Sequence, residues 1–199
     1  MPNVERTMEN LQKRGFQVSR FPDRAAAVEY LLDEIGDTPV GIGGSMTVQE
    51  IDLFPRLLAR GDTFFHMIQR EEGIMDHAIA APIYLMSANG VSESGQIINI
   101  DGTGNRVVNM AYGHERVYVI IGVNKIAATD EMALWRARNI ASPKNARRIG
   151  KKTPCVQGEL ICHDCDSPER ICRSFVSLER CPTSIPHFEI VIIDEALGY

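Results

Sequence analysis

The strongest constraint on the fold is a regular alternation of strand-like and helix-like segments along most of the chain. The clearest strand runs from Arg116 to Gly122 and is apolar at nearly every position, as expected of a strand that is buried on both faces. The segments between the strands repeat their apolar residues at helical spacing. This alternation predicts an α/β fold, in which flanking helices cover a mostly parallel, Rossmann-like sheet.

The predicted segments account for most of the chain before residue 151. Gly15 and Gly36 end the first two helices, and Pro143 is expected to bend the continuation of the last one. The predicted helices are Val4 to Arg14, Pro22 to Gly36, Thr47 to Ala59, Glu71 to Ala80, Arg106 to Ala111 and Asp130 to Asn139. The predicted strands are Phe16 to Phe21, Pro39 to Ile42, Thr63 to Ile68, Ile83 to Met86, Gln96 to Ile100, Arg116 to Gly122 and Phe188 to Ile193.

Residues 151–186 interrupt the alternation, since they are rich in Cys, Pro, Ser and Arg and lack a sustained period. This stretch is too short to be a domain, so we predict that residues 1–199 form a single domain with a Cys-rich excursion before the last strand. A chain of 199 residues can bury a sufficient core without metals or disulfides. Yet all five cysteines lie in this stretch, at Cys155, Cys162, Cys165, Cys172 and Cys181.

The spacing of these cysteines indicates a thiolate site. Cys162 and Cys165 are separated by two residues, which suits a shared metal ion or a redox disulfide. Cys155 and Cys172 flank this pair symmetrically, so we predict that the four thiolates bind zinc or an iron–sulfur cluster, between which thiolate softness does not choose. His163 or the fifth cysteine is an alternative ligand. The competing interpretation is a set of small buried or free thiols.

The first candidate binding loop follows the predicted strand that ends at Ile42. Ligands of an open parallel sheet collect where strands lead into helices, and glycines there let the backbone approach an anion such as phosphate or carboxylate. The alternative is purely structural, because Thr47 and Glu50 have the spacing of a capping box. The predicted anion-binding residues in this loop are Gly43, Gly44, Ser45 and Thr47.

The second candidate loop spans residues 87–95. Asn89 and Gly90 are predicted to bind the same anion, although Asn-Gly is also a common turn between two strands. Glu93 is the acidic residue of this loop, and it is predicted to act as a general base or nucleophile if it is buried near the substrate. The competing interpretation of Glu93 is a solvated loop side chain.

Two further segments place polar and basic groups at the same edge of the sheet. The first segment, residues 102–106, leads into a predicted helix. It carries two glycines, a hydroxyl, an amide and a guanidinium, a combination suited to a carboxylate or phosphate. A lysine follows the most apolar strand and is expected to add positive charge. These predicted anion-binding residues are Gly102, Thr103, Gly104, Asn105, Arg106, Asn124 and Lys125.

Charge and hydropathy restrict the partners. The chain has 21 basic and 26 acidic residues and a formal net charge of -5, which argues against general attraction to nucleic acid or to an anionic membrane. Its longest apolar runs are far shorter than the ~20 residues of a membrane-spanning helix. The first residues lack the basic and apolar stretches of a secretion signal. We therefore expect a cytoplasmic protein.

The ordered motifs at residues 40–48, 87–95, 99–107 and 121–126, followed by the cysteine group, resemble those of the LUD domain family, formerly DUF162, which includes proteins of the lactate utilization protein C type. The resemblance covers about residues 5–199. It implies a fold of the ribose-phosphate isomerase and CoA-transferase-like superfamily. It also implies a part in oxidation of L-lactate to pyruvate, alongside iron–sulfur partner proteins.

Three interpretations of function remain open at this stage. The first is binding of a small anionic metabolite in lactate utilization, together with a metal at the cysteines. The second is a sugar-phosphate isomerase-like or CoA-transferase-like enzyme, with Glu93 in catalysis. The loop at residues 87–89 is similar to that of methylthioribose-phosphate isomerases, but Asn89 stands where those enzymes carry a catalytic carboxylate. The third is a non-catalytic subunit that docks an electron-transfer partner.

Overall fold

The strands form two sheets in the computed structural model, which describes residues 2–199. One sheet has six strands in the order β1-β10-β7-β4-β2-β3, and all its pairings are parallel. It confirms the predicted Rossmann-like architecture. The second sheet has the order β8-β5-β6-β9. The strands are β1 (Gln17–Phe21), β2 (Val40–Ile42), β3 (Thr63–Phe65), β4 (Ile83–Met86), β5 (Gly90–Ser92), β6 (Ile97–Asp101), β7 (Arg116–Gly122), β8 (Ile126–Ala127), β9 (Ser174–Leu178) and β10 (His187–Ile193).

Short helices connect the strands. The side chains of Asn3 and Asp23 cap the first two by accepting hydrogen bonds from backbone N–H groups of the first turn. In the part of the chain from residue 2 to 199, no helix has both the length and the apolar character needed to cross a bilayer. The helices are α1 (Val4–Lys13), α2 (Arg24–Ile35), α3 (Met46–Glu50), α4 (Leu53–Leu58), α5 (Ile74–Ala80), α6 (Asn105–Ala111), α7 (Asp130–Arg136) and α8 (Ser142–Arg148).

The six-stranded sheet is buried on both faces. Along β7, Tyr118 and Ile120 pack with α2, α3 and α4 on one face, whereas Val119 and Ile121 pack with α1, α6 and the second sheet on the other. This arrangement explains why β7 is apolar at successive positions. Each fully buried side chain of this size stabilises the fold by roughly 1.5–3 kcal/mol, so the sheet is a firm base for the loops at its edge.

The helix predicted from Thr47 to Ala59 is wrong in one respect, because it is divided into α3 and α4. Asp52 separates the two with a φ of 56°, in the left-handed region that ends a right-handed helix. Aspartate tolerates this conformation better than most residues, since its short polar side chain bonds locally. The break lets α4 pack Leu53 and Leu57 into the core.

The second sheet is absent from the sequence-based prediction. Its strand β5 begins at Gly90 and pairs with β6, so the alternative in which Asn89 and Gly90 form a hairpin turn is wrong. The chain instead turns at residues 93–95, where Gly95 has a φ of 90°. The Asn89 side chain accepts a hydrogen bond from the Ile100 N–H at 2.8 Å and ties the start of β5 to β6. Within the Cys-rich segment, β9 adds to the other edge of β6.

A π-helical turn at Ala137–Ala141 joins α7 to α8 without a break. The predicted helix from Asp130 therefore continues to Arg148. Pro143 lies in the first turn of α8, directly after the wider π turn. This continuous helix carries Arg136 on its first half and Arg148 on its second.

Candidate functional site

A cavity of about 420 Å³ lies at the edge of the six-stranded sheet, beyond the carboxyl ends of β2, β4 and β7. This is the position at which open parallel sheets bind ligands. The predicted residues that line the cavity are Gly44, Ser45, Thr47, Asn89, Gly102, Thr103, Asn105, Arg106 and Lys125. The structure therefore brings together residues from each of the predicted loops.

Four predicted residues are not among those that line the cavity, and each has a structural reason for its identity. A Cβ atom on Gly43 would lie 2.8 Å from the Tyr84 hydroxyl, and one on Gly90 would lie 2.6 Å from a backbone oxygen of α7. Gly104 has a φ of 95° at the start of α6. The Asn124 side chain bonds to the backbone N–H and carbonyl of residue 197 and fixes the segment after β10.

The hydrogen-bond donors of the loop before α6 are already occupied by a group of the protein itself, the buried carboxylate of Asp101. Oδ1 of Asp101 accepts hydrogen bonds from the N–H groups of Thr103 and Gly104, at 2.9 and 2.8 Å. Oδ2 lies 3.0 Å from Nε of Arg106. Nη2 of Arg106 donates to the Ile100 carbonyl at 2.6 Å. Most of the donors expected to hold a ligand here instead hold the loop together.

The loop after β2 begins α3 through Ser45. Its Oγ accepts a hydrogen bond from the Val48 N–H at 3.2 Å, whereas Glu50 accepts from the N–H of Gly198. The alternative capping box of Thr47 and Glu50 is therefore wrong, and the cap stands two residues earlier. Thr47 is buried, and its hydroxyl lies 3.2 Å from that of Ser87. These hydroxyl groups line the inner part of the cavity.

Lys125 forms the floor of the cavity. It ends a short 3-10 turn after β7 and is only 3% exposed. Its ammonium donates to a main-chain oxygen of Tyr199, the last residue of the sequence, and no Asp or Glu side chain of residues 2–199 lies within 4 Å of it. Burial, reinforced by the positive charge of Arg136, lowers the pKa of Lys125 to about 7. The floor is therefore a buried amine that an anion would hold in its charged form.

Arg136 is the functional candidate that sequence reasoning missed. It is 8% exposed, and its guanidinium donates to the carbonyls of Asn124, Asn89 and Tyr199 at 2.8, 2.6 and 3.0 Å. Burial lowers the pKa of Arg136 to about 10. Nothing in the pattern of α7 distinguishes Arg136 from a surface arginine, because its burial results from contacts with distant loops.

Apart from Arg106, which pairs with Asp101, the basic lining residues that are exposed or half-buried are Arg148, Lys151, Arg170 and Arg173, and we call this group the mouth of the cavity. With Arg106 and Lys125, six Lys and Arg residues line the cavity against two acidic residues, Asp101 and Glu169. The lining has a formal excess of four positive charges in a chain whose net charge is -5. The sequence did not identify the mouth, because α8 and the Cys-rich segment meet there only in the folded chain.

His66, after β3, also lines the cavity. Its ring is partly buried, and burial, with the nearby positive charge of Arg106, lowers the pKa of His66. The imidazole is therefore neutral at pH 7 and adds a hydrogen-bonding group but no charge.

Glu93 lies outside the cavity, in the hairpin turn between β5 and β6. One carboxylate oxygen accepts a hydrogen bond from the Asn3 N–H at 2.8 Å, and the other lies 3.7 Å from Arg6. These contacts fasten the start of α1 to the second sheet. The structure does not bring Glu93 together with the predicted binding residues, so its catalytic role stays a prediction that has no geometric support.

The cysteines predicted to bind a metal line a second cavity, of about 20 Å³, together with His163, Arg138 and Phe175. All five cysteines are free thiols. Across residues 2–199, no three side chains of His, Cys, Asp or Glu are arranged to hold a metal ion. Binding of zinc or an iron–sulfur cluster by Cys155, Cys162, Cys165 and Cys172 therefore stays a prediction. Metal analysis and an absorption spectrum of anaerobically purified protein would decide it.

Comparisons with known proteins agree with this architecture. A family model described as the LUD domain matches residues 4–193. The crystal structure of a DUF162 family protein from Deinococcus radiodurans is similar, with a TM-score of 0.55 and 10% sequence identity over 96% of this chain and 95% of that chain. At this identity the likeness concerns the fold alone. No curated protein matches the sequence. Because the family model covers nearly the whole sequence, this chain belongs to the LUD domain family, which is associated with lactate utilization.

Proposed function

We propose that this protein binds a small organic carboxylate in the large cavity as part of lactate utilization, with lactate and pyruvate as the first candidates. The observation that carries the proposal is the positive charge of the cavity, whose lining has six Lys and Arg residues against two acidic residues and includes the buried ammonium of Lys125. The association of the LUD family with lactate utilization supports this choice of carboxylate. Iron–sulfur partner proteins would accept the electrons of lactate oxidation.

Burying an ammonium costs several kcal/mol unless it is well paired, and no Asp or Glu side chain of residues 2–199 lies within 4 Å of Lys125. A bound carboxylate would bring negative charge to this position. It would favour the ammonium over the neutral amine, and so raise the pKa of Lys125 from about 7. Arg136 beside Lys125 adds a second buried positive charge that attracts the same anion.

The surrounding polar groups suit a hydroxy or oxo acid. The hydroxyl groups of Ser45, Thr47 and Ser87 and the amide of Asn89 line the inner cavity beside Lys125. A hydroxyl both donates and accepts, so these groups can pair with the 2-hydroxyl of lactate or the 2-oxo group of pyruvate. In this proposal Lys125 holds the carboxylate and the hydroxyl groups orient the rest of the ligand.

The test is calorimetric titration of lactate and pyruvate into the wild type and the Lys125→Met variant. We expect Lys125→Met to weaken binding about tenfold or more, because charge-assisted hydrogen bonds contribute roughly 1.5–3 kcal/mol. Lys13→Met removes the same charge from the exposed face of α1 and serves as the matched control. Equal affinities in the wild type and Lys125→Met would refute the proposal.

The same titration has an expected pH dependence. Only the protonated Lys125 attracts the carboxylate, so affinity should be constant well below pH 7 and should fall by up to about tenfold per pH unit above it. Proton uptake during binding at pH 8, measured in buffers of different ionisation enthalpy, checks the same linkage. An affinity of the wild type that does not change between pH 6 and 9 would contradict the role of Lys125.

A further inference from the structure

We infer that the cavity also binds ligands with a second anionic group, a phosphate, which lies at the mouth while the carboxylate lies at Lys125. This inference rests on the proposed function and adds a ligand class to the same site, namely small phosphorylated carboxylic acids. Two observations carry it: the size of the cavity and the presence of positive charges at the mouth that have no carboxylate within 4 Å in residues 2–199.

The cavity is larger than lactate or pyruvate alone requires. Its volume of about 420 Å³ falls within the ~300–1,000 Å³ of pockets that hold much larger ligands than lactate. A carboxylate placed on the floor at Lys125 therefore leaves the outer part of the cavity for another group of the ligand.

Three cations of the mouth lack an acidic partner. Arg148 bonds through Nε and Nη2 to the side-chain oxygen of Asn145, and Arg173 bonds through Nε and Nη2 to backbone carbonyls of the Cys-rich segment. Together with Lys151, they have no carboxylate within 4 Å in the described range 2–199. Arg170 differs, because it is paired with Asp164 at 3.1 Å.

The contacts of these arginines also fix their position. Hydrogen bonds from Nε and Nη2 hold each guanidinium in place, whereas Nη1 of Arg148 and of Arg173 has no acceptor among residues 2–199. The one acidic residue of the mouth, Glu169, accepts a hydrogen bond from the Lys152 N–H at 2.9 Å. The mouth thus offers positioned donors to a ligand and little repulsion.

Phosphate fits this chemistry better than a second carboxylate. It carries about 1.5 to 2 negative charges at pH 7 and three acceptor oxygens, so it can pair with several cations that come from different segments. Arg148 comes from α8 and Arg173 from the residues just before β9. A carboxylate has one charge and two oxygens and would leave part of the mouth unpaired.

The experiment compares four probes by calorimetric titration: lactate, glycerol 3-phosphate, succinate and 3-phosphoglycerate. Lactate carries only the carboxylate, glycerol 3-phosphate only the phosphate, succinate two carboxylates, and 3-phosphoglycerate both groups. Each is titrated into the wild type and into the double variant Arg148→Gln/Arg173→Gln. The matched control is Arg147→Gln/Arg180→Gln, which removes two exposed charges that do not line the cavity.

We expect 3-phosphoglycerate to bind the wild type at least tenfold more tightly than either lactate or glycerol 3-phosphate. The mouth variant should lower the affinity for 3-phosphoglycerate about tenfold more than the affinity for lactate, and the control variant should not. If succinate bound as tightly as 3-phosphoglycerate or more tightly, a second carboxylate would suit the mouth at least as well as a phosphate. That result would overturn the inference.

Failure of this inference is distinguishable from failure of the proposed function. Equal affinities for lactate and 3-phosphoglycerate, with both lost in Lys125→Met, would overturn the inference and leave the carboxylate site intact. Unchanged binding of every probe in Lys125→Met would overturn the proposed function. Binding of none of the four probes to the wild type would overturn both.

Discussion

Arg106 and Lys125 line the same cavity and came from the same sequence argument, yet the structure gives them opposite roles. Arg106 is bound by the buried Asp101 carboxylate and by the Ile100 carbonyl. Lys125 is more deeply buried and has no Asp or Glu side chain within 4 Å among residues 2–199. A basic residue beside a glycine-rich loop can therefore be paired with a carboxylate side chain of that loop, as Arg106 is, or have no such side chain beside it, as Lys125 does.

The largest effect expected from this comparison is on stability, in Arg106→Met. Asp101 is 5% exposed, so removing its guanidinium partner leaves a buried carboxylate without its counter-charge and should lower the free energy of unfolding by about 3 kcal/mol. Urea denaturation measures this loss. Arg56→Met, which breaks the exposed pair with Glu29, is the matched control and should change stability much less. Equal losses of stability in Arg106→Met and Arg56→Met would mean that Arg106 stabilises the fold no more than a surface arginine does.

Lys125→Met should change the free energy of unfolding in the opposite direction at acidic pH, so that the variant is more stable than the wild type. The folded-state pKa of Lys125 is about 7 and its ordinary value is 10.5, so the unfolded chain binds more protons between these values. The contribution of Lys125 to stability therefore rises with pH in this window, by up to ~1.4 kcal/mol per unit, and is least favourable below pH 7. At pH 6 we expect Lys125→Met to be about 2 kcal/mol more stable than the wild type.

Urea denaturation of both proteins from pH 6 to 9, without added ligand, tests this expectation. The difference between them should shrink as the pH rises, because the wild-type amine becomes neutral in the folded state. A variant that is less stable than the wild type at pH 6 would mean that the contact of the Lys125 ammonium with Tyr199 outweighs the cost of burying its charge.

The smallest expected effect concerns Glu93, which neither pairs with a buried group of the loop before α6 nor lines the cavity. Glu93→Gln keeps an oxygen for the Asn3 N–H and loses only the partly exposed contact with Arg6, so it should lower stability by about 0.5–1 kcal/mol. Lactate affinity, measured in the same preparation, should not change. A tenfold loss of affinity or of turnover in Glu93→Gln would restore its predicted catalytic role.

The sequence predicted the six-stranded sheet well because each of its strands carries a local signal. β7 is the best case: its predicted and observed limits coincide, since an apolar run buried on both faces is distinctive. In the second sheet, β6 was predicted as Gln96 to Ile100, but β5 and β8, which have three and two residues, were not predicted. The strand β9 pairs with a strand more than seventy residues earlier, and only tertiary contacts determine that pairing.

The residues of the candidate site also divide into those that a local sequence signal predicted and those that it did not. Loops that directly follow strands were predicted to converge, and Ser45, Asn89 and Lys125 do line one cavity. The mouth was missed because Arg148 and Arg173 belong to segments without a strand signal. The pairing of Arg106 was not predicted, because the sequence places Asp101 nearby but does not reveal that its carboxylate turns inward to the loop amides.

The π turn at Ala137–Ala141 matters for how this site tolerates insertions and deletions. Such a turn is equivalent to one extra residue in an α-helix, and each residue rotates a helix by about 100°. The direction in which side chains of α8 point about the helix axis, relative to those of α7, therefore depends on that one residue. A single deletion there would leave Arg136 behind Lys125 but rotate Arg148 by about a quarter of a turn, away from the mouth. The spacing between residues 136 and 148 is thus a length constraint on this site.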